Sequence, residues 1–395
     1  MRSAVAVLSL LVLAAMPPAR AQIEVRIGSA SPLSGPGAHQ GKDIENGARM
    51  AIDDLNAQGF AVGGKKVKWV LRAEDDASDP KTGAAVAQKL VDARVAGVVG
   101  HLNSGTTVPA SKIYHDAGIP QISPAATTPL YTSQGFRTAF RVVASDRLVG
   151  RTLANHAVTA LKAKKIAVID DRTAFGQGLA DEFNRAVRRA GAARIVSRQF
   201  TNDKASDFTV ILTQIRGQDP DVIFYGGMDA VAGPMLKQMK ALGLRAKLVS
   251  GDGICSEKLP QLAGDALGED KVICVVAGGV TGPEEARYAA FVERYRERYK
   301  IPLQTYAPYA YDATMVLASA MQQAGSSEPA KYLPVLAKIR YQGITGTIAF
   351  DAKGDLRNAA LTLYTYRQGK KVKLGVLREA PAQAQPPLPG ARRNL

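Results

Sequence analysis

Along most of the chain, short runs rich in Val, Ile and Leu alternate with longer stretches whose apolar positions recur at helical spacing. The runs at 24–30 (EVRIGSA), 66–75 (KVKWVLRAED), 95–100 (VAGVVG) and 119–123 (IPQIS) read as strands, as do 165–171, 193–200, 221–227, 246–251 and 271–277. Helical patterns fill most of the intervals, including Asp43–Ala57, Pro80–Ala93 and Asp181–Ala190. Strand–helix alternation with strands apolar on both faces predicts an α/β protein with mostly parallel sheets flanked by helices. The order changes at 139–145 (AFRVVAS), a strand-like run that leads into a helix over Arg147–Leu161. That change predicts a crossover between two lobes.

The two halves share a unit. VAGVVGHLNSGTTVPAS (95–111) is a strand ending in Gly, a polar loop and a helix, and DVIFYGGMDAVAGPM (221–235) repeats it. Each is followed by a second short strand with its own polar loop, QISPAATTP (121–129) and LVSGDGICS (248–256). Polar loops at the carboxyl ends of strands are where open α/β sheets bind ligands. Two such edges facing each other predict a small-molecule cleft between lobes.

The first residues stand apart. One positive charge precedes an apolar run over Ala4–Ala15, and Ala19-Arg20-Ala21 follows as a small-x-small site, the pattern of a secretory leader cleaved after Ala21. The run is too short for the ~20 residues of a bilayer span. No later run reaches 18 apolar residues, so the predicted product is soluble outside the cytoplasm. Residues 380–395 (APAQAQPPLPGARRNL) read as a flexible tail.

Composition then narrows the chemistry. The chain has 395 residues, 46% hydrophobic and 22% charged, with a net charge of +16. Such a basic balance raises polyanion binding, but the cations are interleaved with acids: Arg287, Arg294, Arg296 and Arg298 share a helix with Glu284, Glu285, Glu293 and Glu297. Mixed faces of this kind are solvated surfaces carrying i,i+3 and i,i+4 pairs, so no nucleic-acid partner is expected. Cys255 and Cys274, in an oxidising compartment, either bridge or leave Cys274 as a buried thiol.

Catalytic patterns are missing. Gly59–Lys66 nearly matches a phosphate loop, but Lys66 replaces the required hydroxyl and the segment follows a helix instead of opening one. No GxSxG elbow or GxGxxG turn occurs, and His39, His101, His115 and His156 have no metal spacing. Asp75-Asp76 and Asp170-Asp171 end strands, where acids either serve chemistry or accept backbone bonds in a loop. The reading is of binding, with no cofactor and no metal.

The loops themselves carry a resemblance. Residues 27–59 (IGSASPLSGPGAHQGKDIENGARMAIDDLNAQG), AEDDASDPKTGAAVAQKLV, VVGHLNSGTTVPASKIYHDAGIPQISPAATTP, DRTAFGQGLADEF and YGGMD together resemble the periplasmic leucine/isoleucine/valine-binding proteins that feed ABC importers. The resemblance covers about Val25 to Leu377. It implies a two-lobed fold with three hinge crossovers, lobe 1 holding 22–143 and 279–352 and lobe 2 holding 144–278 and 353–379. It also implies a periplasmic monomer with no catalysis, an amino-acid ligand and an inner-membrane ABC permease as partner. Two other classes stay open: a sensor of the same fold, and a secreted α/β enzyme using Asp75/Asp76 or Asp170/Asp171.

Carried over residue by residue, the resemblance puts the ligand carboxylate on Ser104 and the N-terminus of the helix 104–117, where unpaired N–H groups suit an anion. Ala125 and Thr127 of the PAAT loop form a second anchor. For Ser104 and Thr127 the alternative is simple N-capping. Asp252 stands where the family holds the ammonium with a carboxylate, usually Glu; its alternative is a turn residue between two glycines. Phe175 matches an aromatic that covers the ligand, and Met228 replaces a frequent Tyr. Gln40 replaces an apolar-aromatic position and Asn103 a Cys, whose disulfide partner is Ser78 here. Two amides beside a pocket that is aliphatic in leucine binders point to a polar ligand tail, because an unpaired buried amide costs ~1–3 kcal/mol.

Overall fold

A computed structural model describes residues 23–378; the predicted leader, its cleavage site and the 380–395 tail lie outside them. Two separate sheets dominate. The first contains β1 (Ile23–Ser31), β2 (Ala61–Val62), β3 (Lys65–Asp75), β4 (Gly97–Gly100), β5 (Gln121–Ser123) and β6 (Ala139–Arg141) in the order β2-β3-β1-β4-β5-β6. All its pairings are parallel except β2–β3. There the Gly-rich segment 59–66 forms a hairpin, with Gly63 and Gly64 at φ of +57° and +72°, so the phosphate-loop likeness is a turn.

The second sheet contains β7 (Lys165–Asp170), β8 (Arg194–Phe200), β9 (Val222–Gly226), β10 (Lys247–Ser250) and β11 (Val272–Val276), all parallel. A small hairpin, β12 (Arg340–Gln342) with β13 (Thr347–Ala349), lies apart. Then β14 (Ala360–Arg367) and β15 (Lys370–Arg378) return antiparallel to the edge beside β11. This sheet is therefore mostly parallel, as the strand–helix alternation predicted, with an antiparallel pair added at its edge.

Helices cover both sheets: α1 (Ala38–Ala57), α2 (Pro80–Asp92), α3 (Ser104–Asp116) and α4 (Pro129–Ser133), then α5 (Asp146–Thr159), α6 (Ala174–Ala190), α7 (Thr209–Gln218), α8 (Asp229–Ala241) and α9 (Leu259–Ala263). After β11 come α10 (Glu284–Tyr299), α11 (Ala307–Ala324) and α12 (Pro329–Leu336), of which α11 packs on α1, β4 and β5 of the first sheet. Local chemistry sets the boundaries. Asp79 accepts from Thr82 N at 2.8 Å and Pro80 opens α2. The Thr173 hydroxyl accepts from Gly176 N, so α6 starts at Ala174, ahead of the sequence expectation, and ends on left-handed Gly191.

The chain passes between the sheets three times, after β6, after β11 and before β14. The strand expected over 139–145 stops at Arg141, because the next residues form the first passage. There Ala144 N donates to Ala277 O at 2.8 Å, and Thr362 Oγ1 donates to Gly278 O at 2.8 Å, so the three passages are bonded together. Buried side chains of both halves join one continuous apolar core, with Trp69 sealed beneath α1 and its indole N–H donating to Phe60 O at 3.1 Å.

Candidate functional site

In the first sheet the strand order reverses between β1 and β4, so the loops after these strands diverge and leave a crevice at their carboxyl ends. The second sheet reverses between β7 and β9. Loops from both switch points meet. Together with two neighbouring loops they line one cavity: Leu102, Asn103, Ser104 and Ala125 from one side, Phe175, Met228 and Asp252 from the other, and Tyr306 just before α11. The cavity is narrow, with about 10 Å³ open to the centre of a water-sized sphere. Six of the eight residues expected at the site line it. Thr127 and Gln40 do not, though both are fully buried nearby.

The first wall is made of neutral groups left without partners. Asn103, not Ser104, occupies the N-cap position of α3, and its side chain makes no capping bond. The amide oxygen of Asn103 and the hydroxyl of Ser104 are buried and unbonded. Thr127 likewise leaves the cap of α4 to Thr128, and its own hydroxyl is buried and unbonded. Simple capping therefore accounts for neither Ser104 nor Thr127. The loop under Ala125 is fixed from below: Ser123 Oγ accepts from Ala126 N at 2.8 Å and donates to His101 O at 2.9 Å. Buried Arg141 donates to Ala126 O, Thr132 Oγ1 and Asp355 Oδ1 at 2.9, 2.7 and 2.6 Å.

The second wall carries charge and apolar cover. Asp252 opens a short 3₁₀ turn over Asp252–Ile254, and its carboxyl turns to the cavity. Oδ2 accepts from Tyr306 Oη at 3.0 Å, while Oδ1 is buried without a partner. Burial pushes its pKa up to about 6, against the Tyr306 bond, which lowers it. A side chain at Gly253 would meet Gly227 O at 2.6 Å, which explains the glycine after Asp252. The cysteines are bridged: Cys255 is joined to Cys274 of β11 across a Cα–Cα distance of 5.5 Å, and this pins the Asp252 turn to the sheet.

Three residues that sequence reasoning passed over belong to this neighbourhood. Tyr306 is positioned by Asp43 of α1, whose carboxylate accepts from the backbone N–H groups of Gln304, Thr305, Tyr306 and Ala307 at 2.7–3.1 Å. Asp146 opens α5 fully buried, with both carboxylate oxygens unbonded. Desolvation raises its pKa to about 8, and the nearby Asp252 charge raises it further. Leu102 adds an apolar patch. Only a cluster of polar residues at strand ends was visible beforehand; these three are far apart in the chain.

The paired acids sit in loops. Asp75 accepts from Leu33 N and Ala77 N, Asp76 pairs with His101 at 2.7 Å, and Asp170 and Asp171 accept from Arg172 N and Thr173 N. Among the described residues no cluster of His, Cys, Asp and Glu has metal-site geometry, and no helix is long and apolar enough to cross a membrane.

Comparison with known proteins agrees with this architecture. A family model described as periplasmic binding protein matches residues 24–371. A Leu/Ile/Val-binding protein homolog of Brucella abortus is 34% identical over 362 residues, which covers 90% of this chain and 94% of that one. An amino acid binding protein of Pseudomonas aeruginosa is 35% identical, covering 87% of this chain and 90% of its own. Among solved structures, the branched-chain amino acid substrate-binding protein LivJ of Streptococcus pneumoniae, in complex with isoleucine, is similar with a TM-score of 0.81 and 28% identity. That match covers 91% of this chain and 100% of the other.

Proposed function

The chain belongs to the periplasmic binding protein family, and from that premise we propose that it captures a free α-amino acid between two closing lobes and presents it to an ABC permease. One observation carries this reading. The hydroxyl of Ser104, the amide oxygen of Asn103 and Asp252 Oδ1 are buried, unbonded and gathered on one cavity between the two sheets. Unpaired buried polar groups cost about 1–3 kcal/mol each, so a site that keeps three is built for a polar ligand.

In this reading the ligand carboxylate sits on the Ser104 hydroxyl at the N-terminus of α3, with Ala125 and Thr127 as the second anchor. The ammonium goes to Asp252 Oδ1, and Phe175, Met228 and Tyr306 close over the side chain. Asn103 beside the cavity, with Gln40 behind it, favours a ligand whose tail can bond an amide over a purely aliphatic one. Lobe 1 comprises 22–143 and 279–352, lobe 2 comprises 144–278 and 353–379, and membership of the two sheets supports that division. The leader is removed after Ala21, the mature protein works as a periplasmic monomer, and it binds without catalysing a reaction.

A thermal-shift panel of the α-amino acids on the mature protein tests the proposal. A ligand at 100 times its Kd adds about 2.7 kcal/mol of stability. At least one α-amino acid raises the melting temperature; a panel in which only carboxylic acids or amides without an α-ammonium do so refutes the amino-acid assignment.

A further inference from the structure

The second and third passages between the sheets border a recess that shares no lining residue with the cleft. Gly279, Val280 and Thr281 of the second passage line one side of it and Asn358 of the third lines another. The hairpin β12–β13 and the end of β15 complete the wall. About 210 Å³ is open to the centre of a water-sized sphere, against about 10 Å³ in the cleft. A single water needs only ~10–15 Å³ on that measure, so the recess has room for a small ion with part of its hydration shell.

Its charge is one-sided. Arg340, Arg357 and Arg378 line it, and Glu284 is the only acid among the lining residues. Glu284 is engaged by groups outside the recess: its Oε1 accepts from Gln342 Nε2 at 2.6 Å and lies 3.6 Å from Arg287 Nη2. Arg357 Nε donates to Phe350 O at 2.7 Å and Arg378 Nη2 to Thr281 Oγ1 at 2.5 Å, bonds to neutral oxygens that leave both charges uncompensated. Among the described residues, Arg340 has no side-chain partner.

The backbone sets these positions. Arg340 stands opposite Ala349 in the β12–β13 pair, and Arg357 N donates to Ala349 O at 2.9 Å, so one hairpin residue registers both. The hairpin is tied to α11, on the first-sheet side, where Asp312 accepts from Ile344 N and Thr345 N at 3.0 and 2.8 Å. Arg378 ends β15 of the second sheet, opposite Ala360. Guanidinium forks brought from separate elements to one concave wall repel one another, and they match the geometry of an oxyanion.

We propose that this recess is a second binding site, for a small multivalent oxyanion such as inorganic phosphate, held by Arg340 and Arg357 from the hairpin side and by Arg378 from the second sheet. The Thr281 oxygen accepts from Arg378, which leaves the hydroxyl proton to donate to the anion. An occupant so placed bridges the two sheet bodies at the hinge. It touches none of the groups assigned to the amino acid, so the site stands or falls apart from the proposed function.

Thermal melts of the ligand-free mature protein at about pH 7.5 test it, with phosphate titrated while sodium chloride holds the ionic strength, and hence the screening, constant. The wild-type melting temperature climbs with phosphate as a one-site linkage curve, which gives a Kd. Arg340→Gln removes no native side-chain contact and raises that Kd by about tenfold or more, the worth of a charge-assisted hydrogen bond. Arg189→Gln takes the same charge from the last turn of α6 and leaves the Kd as in wild type. Absence of a phosphate-dependent rise in wild type overturns the site, and so does an unchanged Kd in Arg340→Gln. Equal weakening in Arg189→Gln also overturns it, because the response then follows net charge alone.

Discussion

The two walls of the cleft are built from the same strand–loop–helix unit, yet they carry different chemistry. On the first wall, Ser104, Asn103 and Ala125 are neutral, with Thr127 buried nearby, and Arg141 and Ser123 brace the PAAT loop from below through Ala126. On the second, Asp252 is ionisable, desolvated and tied to its sheet by a disulfide. Under the proposed function, the contrast matches what each end of an amino acid needs. A carboxylate can be held by fixed dipoles and N–H groups without a counter-charge. An ammonium needs a counter-charge, and a buried carboxylate is stable only when something braces it.

Five variants test that difference. The largest effect is expected from removing the brace. Cys274→Ser opens a loop whose ends are 19 residues apart and should lower unfolding stability by about 3 kcal/mol, read by denaturant titration. The corresponding change on the first wall, Ser123→Ala, should cost clearly less.

Next comes charge. Asp252→Asn should weaken α-amino acid binding by roughly tenfold to a hundredfold, the worth of a charge-assisted hydrogen bond, measured by calorimetry. In wild type, affinity should also fall as pH drops through about 6, where Asp252 takes up its proton. The Asn variant should show no such fall. An unchanged Kd would reduce Asp252 to a turn residue.

Asp146 gives the third. Its folded pKa, about 8, lies above the ordinary 3.8, so the folded state favours the protonated form. The penalty for ionising it is absent below about pH 4 and grows as pH rises toward 8. Asp146→Asn should therefore stabilise the ligand-free protein by about 1–3 kcal/mol near pH 8 and by nothing near pH 4, checked by melting curves at both ends. The smallest effect is at the first wall: Ser104→Ala should cost about fivefold to tenfold in affinity with no pH dependence of its own.

Much of this molecule was legible in its sequence. The period of the apolar runs indicated parallel strands buried on both faces, and the polar loops after them marked the cleft edges, because both signals are local. β14 and β15 were not, since antiparallel return to a sheet edge leaves no trace in strand–helix alternation. Tyr306 and Asp146 were missed for a related reason. Tyr306 owes its place to Asp43, and the burial of Asp146 depends on a passage between sheets that the pattern of AFRVVAS disguised as strand. Whether Cys255 and Cys274 bridge was likewise a question of register, answered once Cys274 lay in β11.

The Asp43 bracket has a mechanical meaning. By gathering four consecutive N–H groups ahead of α11, it makes α1 and the start of α11 one rigid piece, and that piece carries His39, Gln40 and Tyr306. Each of these residues reaches across the cleft to a different group: Asp229, Gly253 O and Asp252. In the proposed opening of the lobes, the three contacts leave together. A ligand that strengthens any one of them therefore strengthens all three, and the cleft should shut as a single event with no half-closed halt.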